Sequence, residues 1–158
     1  MHKGWNSAKG YKEAIKKIHD AGINIVGSFV FGLDDDDKTV FRKTFDFIME
    51  NNIDAAQFHI LTPLPGTVTY RTLEKEGRII DRDWAKYHTG EVVFQPKGMT
   101  VGELQRGYYW IFRETYKTKN ILKRCLRKGL TSRGIVYRIG MNLSYRNKAL
   151  KMPEVEEM

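Results

Sequence analysis

The sequence predicts an α/β fold: two parallel strands joined by a crossover helix, then a mostly helical extension. Three observations predict it. Residues 23–31 are an uncharged, largely β-branched and aromatic run with small residues between, the pattern of a strand covered on both faces. Val40, Phe41, Phe45 and Ile48 then mark one helical stripe. Residues 55–61 form a second apolar run that ends in Thr62-Pro63-Leu64-Pro65-Gly66-Thr67. Two strands bridged by a helix make a βαβ unit, almost always parallel and right-handed. Function in such folds sits where the strands end, so Gly32-Leu33-Asp34-Asp35-Asp36-Asp37 and residues 62–67 become the candidate site.

The other elements follow in order. Residues 1–7 read as irregular. Residues 9–21 read as a helix with Tyr11, Ala14, Ile15, Ile18 and Ala21 on one face, stopped by Gly22. One of Asp34 to Asp37 is expected to cap the crossover helix. Residues 68–76 predict a short helix with Tyr70 and Leu73 inward and Gly77 as its stop. Asp81 or Asp83 can cap a turn at Trp84. Residues 91–95 predict a short strand ended by Pro96. Thr100 and Glu103 have capping-box spacing, opening a helix to about Tyr116 with Leu104, Tyr108, Ile111, Phe112 and Thr115 on one face. Residues 120–128 predict a further helix ending at Gly129, and residues 131–152 carry a weaker periodicity in Ile135, Val136 and Ile139. Pro153 would stop a helix there.

Composition narrows the function classes. At 158 residues and 41% hydrophobic, the chain can bury one ordinary core. No stretch approaches the ~18 apolar residues of a membrane span, and residues 1–6 lack the apolar run of a signal peptide. The single cysteine, Cys125, excludes an internal disulfide framework, and a reducing cytoplasm is the expected location. The net charge of +8 is uneven: residues 117–151 hold eleven of the 27 Lys/Arg and no acid, leaving sixteen basic against nineteen acidic residues elsewhere.

Each candidate group has competing readings. Residues 34–37 could hold Mg²⁺ or Ca²⁺ through hard carboxylate oxygens, though the EF-hand spacing is absent. They could equally form a capped, dipole-favoured turn, or place one carboxylate toward a ligand. His59 is either structural or a polar group inside a barrel. Cys125 is either a buried inert thiol or one activated by Lys123, Arg124 and Arg127. The Pro-Gly loop at residues 62–67 is either a rigid connector or a wall presenting fixed carbonyls to a flat ligand. The basic stretch 117–151 could contact nucleic acid, with Tyr116, Tyr137 and Tyr145 stacking on bases, lie on an anionic membrane, or be a solvated face.

Read together, the strand ends resemble the radical S-adenosylmethionine (SAM) enzymes, and more closely the C-terminal half of those with an N-terminal cobalamin (B12)-binding domain. The matching residues are 26–32 with Asp34-Asp35-Asp36, then 61–67, then Glu76-Gly77-Arg78-Ile79 with Asp83-Trp84 and Tyr87, then 92–96 with Met99-Thr100. The resemblance covers roughly residues 8–128. It implies the last two βα units of a partial (β/α)6 TIM-like barrel (residues 1–66), a family-specific extension (67–128) and a basic helical tail (129–158). It implies that Ser28, Val30, Gly32 and Asp35 match a GxIxGxxE-like pattern beside the adenosyl group, with Ser and Asp replacing Gly and Glu. It further implies that Thr62, Pro63 and Gly66 line the same site. In the parent enzyme the cofactors would be S-adenosylmethionine, a [4Fe-4S] cluster and, in the cobalamin-dependent type, cobalamin. The parent reaction would be reductive cleavage of S-adenosylmethionine, or methyl transfer through cobalamin.

The sequence departs from the family in lacking a CxxxCxxC motif. The chain is therefore expected to be an inactive fragment or split part with no cofactor of its own. Its expected partner is the N-terminal radical SAM and cobalamin-binding portion, or a second copy. The competing class is a non-catalytic basic module that binds RNA or an anionic membrane surface through residues 117–151.

Overall fold

The computed structural model describes residues 8–126 and 132–155. Helix α1 (Ala8–Asp20) leads into β1 (Val26–Phe31), α2 (Val40–Glu50), β2 (Ala55–Ile60) and α3 (Val68–Lys75). A 3₁₀ turn (Trp84–Lys86) follows, then α4 (Val101–Thr115), α5 (Thr118–Cys125) and α6 (Ser132–Leu150). The two strands pair in parallel, Val26 opposite Ala55 and Phe31 opposite Ile60, so the expected α/β unit is present as a two-stranded sheet. The expected irregular residues 1–7, the Gly129 stop and the last three residues lie outside the described residues.

One face of the sheet carries Phe29, Phe31, Ala56, Phe58 and Ile60, and α2 and α4 cover it. Phe31 packs at a tilt against Phe41 with ring centroids 4.8 Å apart, and Phe58 meets Phe112 edge-on at 5.3 Å. Helix α2 buries Phe41, Phe45 and Ile48, and α4 buries Leu104, Tyr108, Ile111, Phe112 and Thr115, which are the stripes the periodicity marks. The capping box forms as its spacing demands: Thr100 Oγ1 accepts from Glu103 N at 3.2 Å, and Glu103 Oε2 accepts from Thr100 N at 2.8 Å. The helices approach so closely that a Cβ on Gly107 would lie 2.1 Å from the Phe41 ring.

Four expectations need correction. The first strand begins at Val26 rather than Ile23, because Ile23 N is taken by Ile18 O at 3.1 Å in closing α1. Its second face is not covered: Val26 and Val30 remain 48% and 46% exposed. The apolar face of α1 is likewise open, with Tyr11 and Ile18 exposed. Residues 91–95 make no strand. They form a single antiparallel bridge, Ile79 with Phe94, flanked by Ile80 N→Val93 O and Gln95 N→Arg78 O.

The basic C-terminal region is not simply a solvated face. Arg124 and Arg138 are fully buried. Asp54, also fully buried, lies immediately before β2. Its Oδ2 accepts from Ile25 N at 2.7 Å and lies 3.1 Å from His19 Nε2, while Oδ1 pairs with Arg138 Nε at 2.8 Å. Arg124 donates to the Ile53 and Thr115 carbonyls at 3.0 and 2.9 Å and to Asn142 Oδ1 at 3.1 Å. Asn142 Nδ2 donates to Asp54 O at 2.8 Å. This network bolts α1, α4, α5 and α6 to the N-terminal ends of both strands. A charge in such a place is tolerated only when paired and hydrogen-bonded.

The outer edge of β2 is finished inside the chain. The buried Tyr116 hydroxyl accepts from Ala56 N at 3.0 Å and donates to Ala56 O at 2.6 Å, and Ile60 N donates to Thr89 O at 2.8 Å. Among the described residues, the outer edge of β1 has no strand partner.

Two measurements check this account. Asp54→Asn leaves the buried Arg138 without its counter-charge and is expected to cost about 3–5 kcal/mol in chemical denaturation. Burial pushes the Tyr116 phenol from 10.0 up to about 12. The neutral phenol is therefore the form that the fold favours. Its contribution is full below pH 10 and is lost as pH rises from 10 to about 12. Tyr116→Phe is expected to lack that alkaline loss and to be less stable at neutral pH by roughly 1–3 kcal/mol, read from denaturation at a series of pH values.

Candidate functional site at the strand ends

The C-terminal end of β1 turns at Gly32, whose φ is +93°. A Cβ there would meet Leu104 Cδ2 at 2.9 Å and Phe94 Cζ at 3.0 Å, so both conformation and space call for glycine. The four aspartates that follow have four separate situations. Asp36 Oδ2 accepts from Gly32 N at 2.9 Å and Leu33 N at 3.0 Å, locking the turn. Burial raises its carboxyl above the usual range, against the pull of those two amides.

Asp34 is clamped by Lys97 and Arg78, both at 2.8 Å. Their hydrogen bonds, Lys97's the larger, hold its carboxyl below the usual range. Arg78 also binds Glu76 Oε2 at 2.8 Å and Gln95 O at 2.7 Å, which ties the β1 turn to the segment after α3. Asp37 accepts from Thr39 N at 2.8 Å and from the Thr39 hydroxyl. It does not cap α2: Thr39 occupies the cap position, and no side-chain bond caps that helix. Asp35 is exposed, with no hydrogen bond or ion pair among the described residues. The four carboxylates are thus spread among separate partners, and no group of His, Cys, Asp or Glu able to hold a metal occurs among the described residues.

At the end of β2 the ladder continues through Leu61 N→Phe31 O at 2.8 Å. Thr62 Oγ1 donates to Ile60 O at 3.1 Å, Pro63 is buried, and Gly66 sits at φ +82°. The Thr67 hydroxyl donates to Leu64 O at 2.7 Å and accepts from Tyr70 N at 3.1 Å, so the loop doubles as the cap of α3. The Leu64 carbonyl is consumed in this way.

The register brings Ser28 opposite Gln57 and Val30 opposite His59 on the open face. Ser28 and Val30 are exposed, and Gln57 and His59 are half-buried. His59 Nδ1 lies 3.2 Å from Thr89 Oγ1, and burial, then Lys148, lowers the basicity of its ring. Sequence reading missed the roles of Asp36, Arg78, Lys97 and Thr89. Only Asp36 leaves a signal, a carboxylate four residues after a turn glycine. Cys125 is remote from this site in chemistry and place: it is fully buried, its Sγ is 3.7 Å from Asn142 Nδ2, and burial pushes its thiol up.

A family model described as "Domain of unknown function (DUF4070)" matches residues 67–147. The chain belongs to the DUF4070 family. This DUF4070 chain is 38% identical over 130 residues to bacteriochlorophyllide d C-12(1)-methyltransferase of Chlorobaculum tepidum, covering 82% of the chain and 28% of that protein. It is 30% identical over 108 residues to the anaerobic magnesium-protoporphyrin IX monomethyl ester cyclase of Cereibacter sphaeroides, covering 68% and 17%. It is 30% identical over 83 residues to hopanoid C-2 methylase of Rhodopseudomonas palustris, covering 52% and 16%. The chain spans less than a third of the length of these curated relatives. The matches support the radical SAM family for the chain. No helix among the described residues is long and apolar enough to cross a membrane.

The turn after β1 is tested at Gly98, which bridges to Asp37. A Cβ there would lie 2.2 Å from the Asp36 carbonyl oxygen, and backbone cannot yield as a side chain does. Gly98→Ala is expected to destabilise by about 1–3 kcal/mol and to speed hydrogen exchange at the Gly32 and Leu33 amides. Unchanged exchange would show that the two loops are not coupled.

Proposed function

We propose that the chain is the C-terminal part of a radical SAM enzyme, with β1 and β2 as the last two staves of a partial barrel and residues 67–158 as its extension. One observation carries this reading: the sheet is finished on one side and open on the other. The β2 edge is closed by Tyr116 and Thr89. On the β1 side, Tyr11, Ile18, Val26, Val30 and Leu33 stay exposed around an edge that no described strand pairs. A two-stranded sheet is marginal by itself, and an open apolar edge invites further strands. The preceding staves of a parallel barrel have that form.

In this reading the open face is the barrel interior. Val30 packs on the adenosyl group of S-adenosylmethionine, Gly32 lets the backbone approach it, and Ser28 and Asp35 offer polar contacts. Thr62, Pro63 and Gly66 line the other side. The [4Fe-4S] cluster does not fit this chain, because such clusters need several thiolates and Cys125 is buried, protonated and alone. Cluster, cobalamin and the reduction of S-adenosylmethionine are assigned to the portion that supplies the other staves. Methyl transfer, the reaction named for two of the relatives above, is the reaction class proposed for the whole. The alternative, a polyanion-binding tail, keeps fewer free cations than the sequence counts, since Arg124 and Arg138 are internal and Lys117 pairs with Glu114 at 2.5 Å.

Two outcomes test the reading. In the assembled enzyme, Val30→Asp puts a charge into an apolar contact and is expected to weaken S-adenosylmethionine binding by several kcal/mol; unchanged affinity in equilibrium dialysis rejects the site. The 158-residue chain, treated anaerobically with iron and sulfide, is expected to show no cluster absorption and no electron paramagnetic signal after reduction. Formation of 5′-deoxyadenosine by it would overturn the assignment.

A further inference from the structure

The outer edge of β2, closed by Tyr116 and Thr89, gathers a group of side chains that the adenosyl site leaves unused. Gln57 Nε2 donates to the Tyr145 hydroxyl at 2.7 Å, and Tyr145 stacks on Tyr116 with centroids 5.4 Å apart and planes at 23°. Helix α6 thus runs beside β2 where another stave would stand. Almost one turn beyond Tyr145, Lys148 Nζ sits 5.3 Å from the centre of the Phe112 ring. Its charge is felt at His59, one rung above Gln57 on the same face. In the tautomer that carries its proton on Nε2, His59 accepts from the Thr89 hydroxyl at Nδ1, 3.2 Å away, and is a donor at Nε2. Neither Lys148 nor His59 has a carboxylate partner among the described residues, whereas Lys86, Lys97 and Lys117 are all paired.

We propose that this edge is a binding site for the carboxylate of a small-molecule substrate, with Lys148 as its cation and His59 and Tyr145 as flanking hydrogen-bond donors. The proposal rests on the reading that the open face lines the substrate cavity. The chemistry favours a monoanion. One positive charge stands beside an imidazole whose basicity is lowered by burial and then by Lys148, which matches a single negative charge better than a dianionic phosphate. The Lys148 ammonium itself lies over the Phe112 ring, a cation–π contact that holds it in place before the ligand arrives. The Tyr145 hydroxyl, already accepting from Gln57, has its own proton free to give.

The test uses the chain itself, with sodium propionate as probe and propionamide as its uncharged counterpart, followed by the His59 ring resonances in nuclear magnetic resonance. Propionate is expected to move them saturably and propionamide not. Lys148→Met, which keeps the length of the side chain and removes its charge, is expected to weaken propionate about tenfold through loss of one charge-assisted contact, with unchanged thermal melting. Equal responses to the two probes, an unaffected Lys148→Met, or tighter binding of inorganic phosphate at matched ionic strength would overturn the proposal. Because propionate is read without S-adenosylmethionine, failure here leaves the barrel reading standing, and failure of the Val30→Asp test leaves this result standing.

Discussion

The structure depends on one buried carboxylate. Asp54 sits at the start of β2 with no exposure, and four elements converge on it or its carbonyl. It receives the amide before β1 and the imidazole of α1, and it faces a guanidinium from α6. The backbone beside it is held by Arg124 from α5. Burying two arginines is expensive, and the expense is offset only when every partner is in place. The network therefore acts as a gauge: α6 can dock beside β2 in one register, since a shift of one residue would strand Arg138 and Asn142 together. Everything placed by α6, from Tyr145 to Lys148, inherits its position from this pairing.

Much of the fold is legible in the sequence, because it rests on short-range rules. The stripes on α2 and α4, the Thr100–Glu103 box, the Gly22 stop and the Pro-Gly loop all follow from spacing alone. What stayed hidden is long-range. Charge counting places Arg124 and Arg138 on a solvated face, because nothing near them in sequence announces an aspartate 70 or more residues upstream. Likewise, a run such as residues 26–31 shows that it can be buried on both faces, but not which neighbours are present to bury it. The candidate site is legible to the level of strand ends. The division of labour among Asp34, Asp35, Asp36 and Asp37 is not, since four identical side chains are told apart only by Lys97, Arg78, Thr39 and two backbone amides.

The two ends of the sheet are built on opposite principles. At the N-terminal ends of the strands, charges are sunk in the core and paired, a construction that resists change. At the C-terminal ends, charges bridge loops nearer the surface, as in the half-exposed pair of Asp34 with Lys97. Exposed pairs of this kind contribute little to stability, so they can fix a loop's position without making it rigid. That division matches the usual one in parallel α/β folds, where one end carries stability and the other carries chemistry.

The Tyr116 hydroxyl has a consequence for how the sheet can grow. By donating to and accepting from the same residue, it uses up a rung that a neighbouring strand would need. Any growth would therefore be one-directional: a further strand could pair beside β1, where no described strand stands, and not at this rung of β2. If two copies meet through their open edges, both are spent in that single contact, and the pair has no edge left to recruit a third. A lone β-edge is ordinarily a seed for open-ended stacking. Here a phenol leaves the sheet one open edge, so that pairing through it would stop after a single contact.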